Sequence, residues 1–201
     1  NELKVVLDEL EEIKNKFGDE RRTHISNEIS NIDDEDLIPE EEIIITLTKN
    51  GYIKRLSTDT FRTQNRGGRG VKGMQTHEDD VVDILVHAKT HTDLMFFTSY
   101  GKVYRMRGYQ VPEFSRSAKG LPVVNLLSLE KDEVVKSIIT VDEYRESDYL
   151  FFATEQGVVK RTPVKEFELI RQNGKIAISL REGDHLLDVK LTDGNATIGI
   201  A

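Results

Sequence analysis

Ile45–Arg55 reads ITLTKNGYIKR, and the same design returns twice: Met95–Arg105 reads MFFTSYGKVYR and Phe151–Arg161 reads FFATEQGVVKR. Each is an apolar run, a Thr, two residues, a Gly, three residues and an Arg. The Gly falls where a tight hairpin needs positive φ. Seventeen to nineteen residues further on, a second glycine sits in a basic loop: Gly70 in QNRGGRG, Gly120 in SRSAKG and Gly174 in RQNGK. An acidic corner and an apolar pair follow, at Glu78–Val82, Lys131–Val135 and Gly183–Leu187. The period is 50–56 residues. A period near 50 with about four short strands per unit is the signature of propeller blades. One such sheet cannot bury both faces alone, so blades must stack. The fold class is therefore mainly β: about three propeller-like blades over 43–201, an incomplete set. Ala196–Ala201 reads as the opening strand of a fourth.

Upstream, Leu3, Val6, Leu7, Leu10, Ile13 and Phe17 recur at spacings of three and four, one face of an amphipathic helix. Gly18 reads as its stop. The helix opens with no N-cap, as if cut from a longer chain. Residues 1–30 are expected to end a helical segment and 31–42, NIDDEDLIPEEE, to form an acidic linker. A sharper reading of that run is a DNA mimic competing for a basic surface.

Hydrophobic residues make up 37% and charged residues 32% of the 201, with no cysteine to form disulfides or thiolate metal sites. No apolar run approaches the roughly 20 residues of a membrane span, and the charged opening is no signal peptide. A cytoplasmic protein is expected. The net charge of −8 argues against nucleic-acid binding until its distribution is read. Residues 1–42 hold 15 acids and 5 bases; the remainder holds 21 acids and 23 bases. Six cations (Lys54, Arg55, Arg62, Arg66, Arg69, Lys72) lie within 19 residues beside one acid, Asp59. Phosphate binding depends on such clusters rather than on total charge.

Gln64–Gly73, QNRGGRGVKG, satisfies G-x-G-x-x-G, but no helical apolar period follows it, as a dinucleotide fold requires. Met74 after Gly73 rules out a P-loop. A disordered RGG tail needs many copies, and there is one, inside a repeat. A plain surface turn remains open on composition. Against it, this loop is the enlarged copy of SRSAKG and RQNGK. Glycines let backbone N–H groups approach phosphate oxygens, and Arg forks hold them bidentately. With Arg55, Arg105 and Arg161 at equivalent hairpin positions, a basic rim is expected.

Gln64–Gly70 resembles the seven-residue box of the DNA gyrase A C-terminal domain family, Gln-Arg/Lys-Arg-Gly-Gly-Arg/Lys-Gly. Six positions match; Asn65 stands where a cation is usual. FGDERRT at Phe17–Thr23 is similar to the end of that family's coiled coil, and YIKRL, KGLPVVNLL and GVVKRTP to its first blades. The resemblance implies a β-pinwheel, a disc with strands exchanged between blades, whose rim wraps double-stranded DNA with a positive crossing and so supports ATP-dependent negative supercoiling. It implies a box of Gln64, Asn65, Arg66, Gly67, Gly68, Arg69 and Gly70, led by Arg66 and Arg69. Arg55, Arg62, Lys72, Arg105, Arg107, Arg116, Lys119 and Arg161 would extend the rim. It implies an A subunit paired with itself and with gyrase B (A2B2) in the bacterial nucleoid. The tyrosine nucleophile and the ATP and Mg2+ sites would lie outside this chain, leaving no catalytic residue, cofactor or metal here. The topoisomerase IV paralogue is the nearer alternative. A propeller that binds protein partners through its faces is the alternative from another class. The tyrosines read as packing residues. His87 and His91, four apart, lack an evident third ligand.

Overall fold

The protein is described by a computed structural model that covers residues 2–18, 34–58 and 80–199. It forms two compact units, 1–33 and 34–201. In the first, α1 (Glu2–Phe17) carries the expected stripe, and Leu10, Ile13 and Phe17 along it are each more than half exposed. The Gly18 N–H closes the last turn onto the Lys14 carbonyl at 2.8 Å.

Among the described residues, the second unit is built from three antiparallel sheets. Sheet one joins β1 (Glu42–Thr48), β2 (Tyr52–Ser57), β3 (Val82–Lys89) and β6 (Leu121–Pro122) in the order β3-β1-β2-β6. Sheet two joins β4 (Asp93–Thr98), β5 (Lys102–Arg107), β7 (Val135–Val141) and β10 (Lys175–Ile176) in the order β10-β5-β4-β7. Sheet three joins β8 (Tyr149–Thr154), β9 (Val159–Pro163) and β11 (Leu186–Thr192) in the order β11-β8-β9. The three repeats are thus three sheets of one design. Gly51, Gly101 and Gly157 turn the hairpins at φ +80°, +73° and +80°, as the sequence requires.

Two small strands cross between repeats. β6 comes from the second repeat yet pairs with β2 of the first, Ile53 facing Leu121. β10 comes from the third and pairs with β5 of the second, Lys175 facing Val103. Each follows the loop glycine of its repeat. At Gly120, φ is +94° and a Cβ would stand 2.5 Å from the Ile53 carbonyl oxygen, so the loop reaches the neighbouring sheet only with glycine there.

Stacking divides the core in two. Leu94 and Phe96 of β4 pack with Ile43, Ile45, Leu47 and Ile53 of sheet one. Met95 and Phe97 of the same strand pack with Leu150, Phe152, Phe167 and Val189 of sheet three. A strand buried on both faces reads as continuous apolar sequence, which accounts for LMFF in β4. β8, YLFFAT, is as continuously apolar in sequence, and only its burial alternates with a period of two. Phe97 stands edge-on to Phe152, with ring centroids 5.5 Å apart.

The acidic corners are turns of the same design. Each hairpin Thr sits at the end of its ladder, opposite Val82, Val135 or Leu186. Beside it is a buried acid. Asp80 accepts from the Asn50 N–H at 3.2 Å, Asp184 from the Gln156 N–H at 3.0 Å, and Glu133 from the Thr98 hydroxyl. Burial opposes the Asp184 charge, but bonds from Thr154 and the N–H groups of Gln156 and His185 outweigh it and hold its pKa below the ordinary value. These acids build turns.

The acidic stretch differs from a free linker. From Asp34 it lies within the second unit, beginning as a 3-10 turn at Asp34–Leu37. The Glu41 N–H donates to the Thr90 hydroxyl, which donates in turn to the Pro39 carbonyl. Glu40 pairs with Lys89 at 2.8 Å and Glu35 with Arg107 at 3.3 Å. Backbone pairing at Thr90 fixes the chain where composition predicts extension. Ala196–Gly199, expected as a strand, is irregular.

Candidate nucleic-acid interface

The segments that link one sheet to its neighbour are the places where each repeat carries its cations. In the second repeat, 108–120 joins β5 to β6; in the third, 164–174 joins β9 to β10. The corresponding segment of the first repeat holds Arg62, Gln64, Asn65, Arg66, Gly67, Gly68, Arg69, Gly70 and Lys72, all outside the described residues. Aligned on Gly70 and Gly120, Arg66 corresponds to Arg116 and Arg69 to Lys119. The loop at 115–120 is therefore the nearest described relative of the box.

That loop is shaped from beneath by Lys54. Its side chain is 1% exposed, and its Nζ donates to the carbonyls of Ser115 (3.3 Å), Arg116 (2.8 Å) and Ala118 (2.7 Å). Burial pulls its ammonium below the ordinary lysine pKa. Three carbonyl acceptors satisfy all three donors of the ammonium. Lys119 is exposed, with its Nζ 3.8 Å from the centroid of the Tyr52 ring. A cation so placed is held loosely by the ring face while its hydrogen-bond donors stay available.

The recurring hairpin arginines have partners within the fold. Arg55 Nε donates to the Val111 carbonyl at 3.0 Å, and its Nη2 lies 3.6 Å from Glu113. Arg105 Nη1 donates to the Glu168 carbonyl at 2.6 Å and to Asp93 at 3.2 Å. Both therefore fasten the linking segment of the next repeat to the preceding sheet. Arg107 meets the other Asp93 oxygen at 3.1 Å and the His91 carbonyl at 2.9 Å. Asp93 also accepts from the Tyr144 hydroxyl at 2.7 Å; burial first, then this bond, hold that phenol well above its ordinary pKa. Arg161 donates to the Gly194 carbonyl at 3.2 Å and lies 4.6 Å over the Tyr149 ring.

The structure thus brings Arg116 and Lys119 together on one loop and gives Arg55, Arg105 and Arg107 fastening contacts. Sequence reasoning placed Lys54 in a basic run without seeing that it is interior. The repeat gave a mixed signal: Tyr104 occupies the same position and packs beneath Gly174, where a Cβ would stand 2.8 Å from its ring, but Lys160, also at that position, is exposed. Arg171 in RQNGK is exposed and was missed as a candidate, as was Lys175, whose Nζ reaches the Glu166 carbonyl. Among the described residues, no three His, Cys, Asp or Glu side chains are grouped as a metal site, and no helix is long and apolar enough to cross a membrane.

A family described as the DNA gyrase C-terminal domain, beta-propeller, matches residues 42–88, 92–142 and 148–193, one match for each repeat. The DNA gyrase A subunit of Staphylococcus epidermidis (strain ATCC 12228 / FDA PCI 1200) is 52% identical over 198 residues, 98% of this chain. The chain spans only 22% of that relative's length. Among solved structures, the C-terminal domain of DNA topoisomerase IV aligns with a TM-score of 0.67 at 26% identity, over 78% of this chain and 47% of the other. The DNA gyrase A C-terminal domain aligns with a TM-score of 0.57 at 26% identity, over 76% and 48%.

Proposed function

The chain belongs to the family of DNA gyrase C-terminal β-propeller domains, and on that premise we propose that it binds duplex DNA through its phosphates and bends it around the linking loops of its blades. The observation that carries the reading is the loop at 115–120, where exposed Lys119 recurs at the repeat position of Arg69 and Arg116 at that of Arg66. Bending 20–30 base pairs by 40–90° costs about 1–6 kcal/mol. A row of phosphate contacts, one loop per blade, offsets that cost and reads no bases. The box Gln64–Gly70 leads, with Arg66 and Arg69 as its cations and the glycines admitting the backbone. Lys119, Arg116, Arg161, Arg62 and Lys72 extend the track, while Arg55, Arg105 and Arg107 chiefly hold the loops in place.

In the full-length protein this wrap presents a DNA segment for ATP-dependent negative supercoiling. The working assembly is two A and two B subunits in the bacterial cytoplasm, on the nucleoid. The catalytic tyrosine and the ATP and Mg2+ sites belong to segments outside this chain, which itself holds no cofactor. Arg66→Ala with Arg69→Ala in the full-length protein is expected to abolish supercoiling while leaving relaxation; unchanged supercoiling overturns the box assignment. The topoisomerase IV alignment favours a second reading, a domain serving decatenation. It predicts an assembled enzyme that decatenates circles without introducing negative supercoils.

A further inference from the structure

Lys54 is a buried cation whose ammonium faces backbone carbonyls. Its three donors are all spent on consecutive parts of one loop, the carbonyls of Ser115, Arg116 and Ala118. The strand that carries it belongs to sheet one, and the loop belongs to the second repeat. The same loop is closed on its other side by Gly120, against the Ile53 carbonyl and the Lys54 Cβ. It then enters β6, which pairs with Tyr52 and Ile53, the two residues before Lys54. Pointing three carbonyls inward at one ammonium turns part of the loop outward, while Arg116 stays half-buried with its Nε shielded from solvent. Lys119 is exposed there, over Tyr52 of the same strand. One strand, Tyr52–Ser57, therefore sets both the backbone shape of the loop and the seat of its terminal cation.

We infer that Lys54 is a positioning residue for phosphate recognition: from inside the first blade it folds the 115–120 loop into the shape that presents Arg116 and Lys119 together to adjacent phosphates. The inference rests on the DNA-binding reading above. It assigns to an interior lysine, which itself meets no phosphate, control over two cations of the neighbouring blade. The other blades are built differently: in the third, Lys160 at the same position donates to the Ala177 carbonyl; the second has no lysine. There Tyr104 replaces the lysine, its hydroxyl turns away to the Ser128 carbonyl, and the loop glycine lies on the ring instead. A phenol has one proton to give and cannot gather three carbonyls.

The test compares Lys54→Tyr, which copies the second blade, and Lys54→Met with Arg116→Ala/Lys119→Ala, alone and combined. The readout is the slope of log affinity against log salt for a duplex, which falls by about 0.9 for each phosphate that the protein no longer neutralises. The loop double variant is expected to lower the slope by about 1.8 for its two cations. Each Lys54 variant is expected to lower it by about 1–2, and to lower it no further when the loop cations are already absent. A loss of stability alone does not give that non-additivity, and thermal melting followed in parallel confirms folded protein. If the loop double variant lowers the slope while Lys54→Tyr keeps the wild-type slope, the inference is overturned and the DNA-binding reading stands. If the wild-type chain binds duplex without a salt slope, both fall.

Discussion

Asp93→Asn isolates the carboxylate that holds Arg105, the residue that fastens the 164–174 segment. The carboxylate is 4% exposed and meets Arg105 at 3.2 Å and Arg107 at 3.1 Å, with the Tyr144 hydroxyl on the same oxygen as Arg105. Removing one partner of a fully buried ion pair costs about 3–5 kcal/mol. Here the guanidiniums are 30% and 38% exposed, so water screens part of that cost. Asn also keeps one acceptor oxygen, whose two lone pairs serve at most two of the three donors. The expected loss is therefore about 2–3 kcal/mol, within the range for hydrogen bonds to charged groups. For a unit of this size that lowers Tm by about 5–10 °C. Calorimetry on the chain measures it, and a cycle with Arg105→Ala shows whether the loss passes through that pair. A variant melting within about 1 °C of wild type refutes the reasoning, as does full additivity with Arg105→Ala. The change also frees two cations at the loop edge, so DNA affinity is expected to hold or rise in the folded variant. A fall would mean that Arg105 meets phosphate only when Asp93 orients it.

Three further outcomes follow from the same geometry. Phe97→Ala removes a fully buried ring that meets Phe152 and Phe167, and is expected to cost about 3–5 kcal/mol by denaturant unfolding; a loss below about 1 kcal/mol would place the sheet-two and sheet-three contact elsewhere. Gly120→Ala forces a Cβ against the Ile53 carbonyl at positive φ, and is expected to destabilise by more than about 1 kcal/mol and to loosen β6, read as faster amide exchange at Ile53. Asp184 has a folded pKa below its unfolded one, so its stabilisation is present above about pH 4 and lost as pH falls through the folded value. Asp184→Asn is expected to flatten the acid limb of Tm against pH, and an unchanged limb contradicts the corner assignment.

What was legible in the chain was what is local. A hairpin is set by its turn, so Thr-x-x-Gly and the period-two pattern showed the strand pairs and the turn glycines before any coordinates. The period itself showed three stacked units. The exchange of strands was expected from the family resemblance alone, because Leu121–Pro122 and Lys175–Ile176 are two residues each, too short to carry a pattern. Their pairing is dictated by the neighbour's edge, not by their own sequence. Arg55 and Arg105 read as rim cations because recurrence alone does not distinguish a contact repeated toward a ligand from one repeated between blades. Lys54 read as one more surface charge; only the three carbonyls of a loop some 60 residues away make its burial possible. The acidic stretch read as a free linker because composition is blind to the bonds made at Thr90, its N–H to the Glu41 carbonyl and its hydroxyl to Glu41 and Pro39.

The central claim is that the basic linking loops wrap DNA. It is tested most directly by closing a nicked plasmid with ligase in the presence of the full-length protein, then stripping the protein and measuring the linking-number distribution. The account predicts a shift toward positive linking number that grows with protein concentration and disappears at high salt. It predicts loss of that shift when Arg66, Arg69, Arg116 and Lys119 are all alanine. A distribution that stays at the relaxed centre with saturating wild-type protein would contradict it.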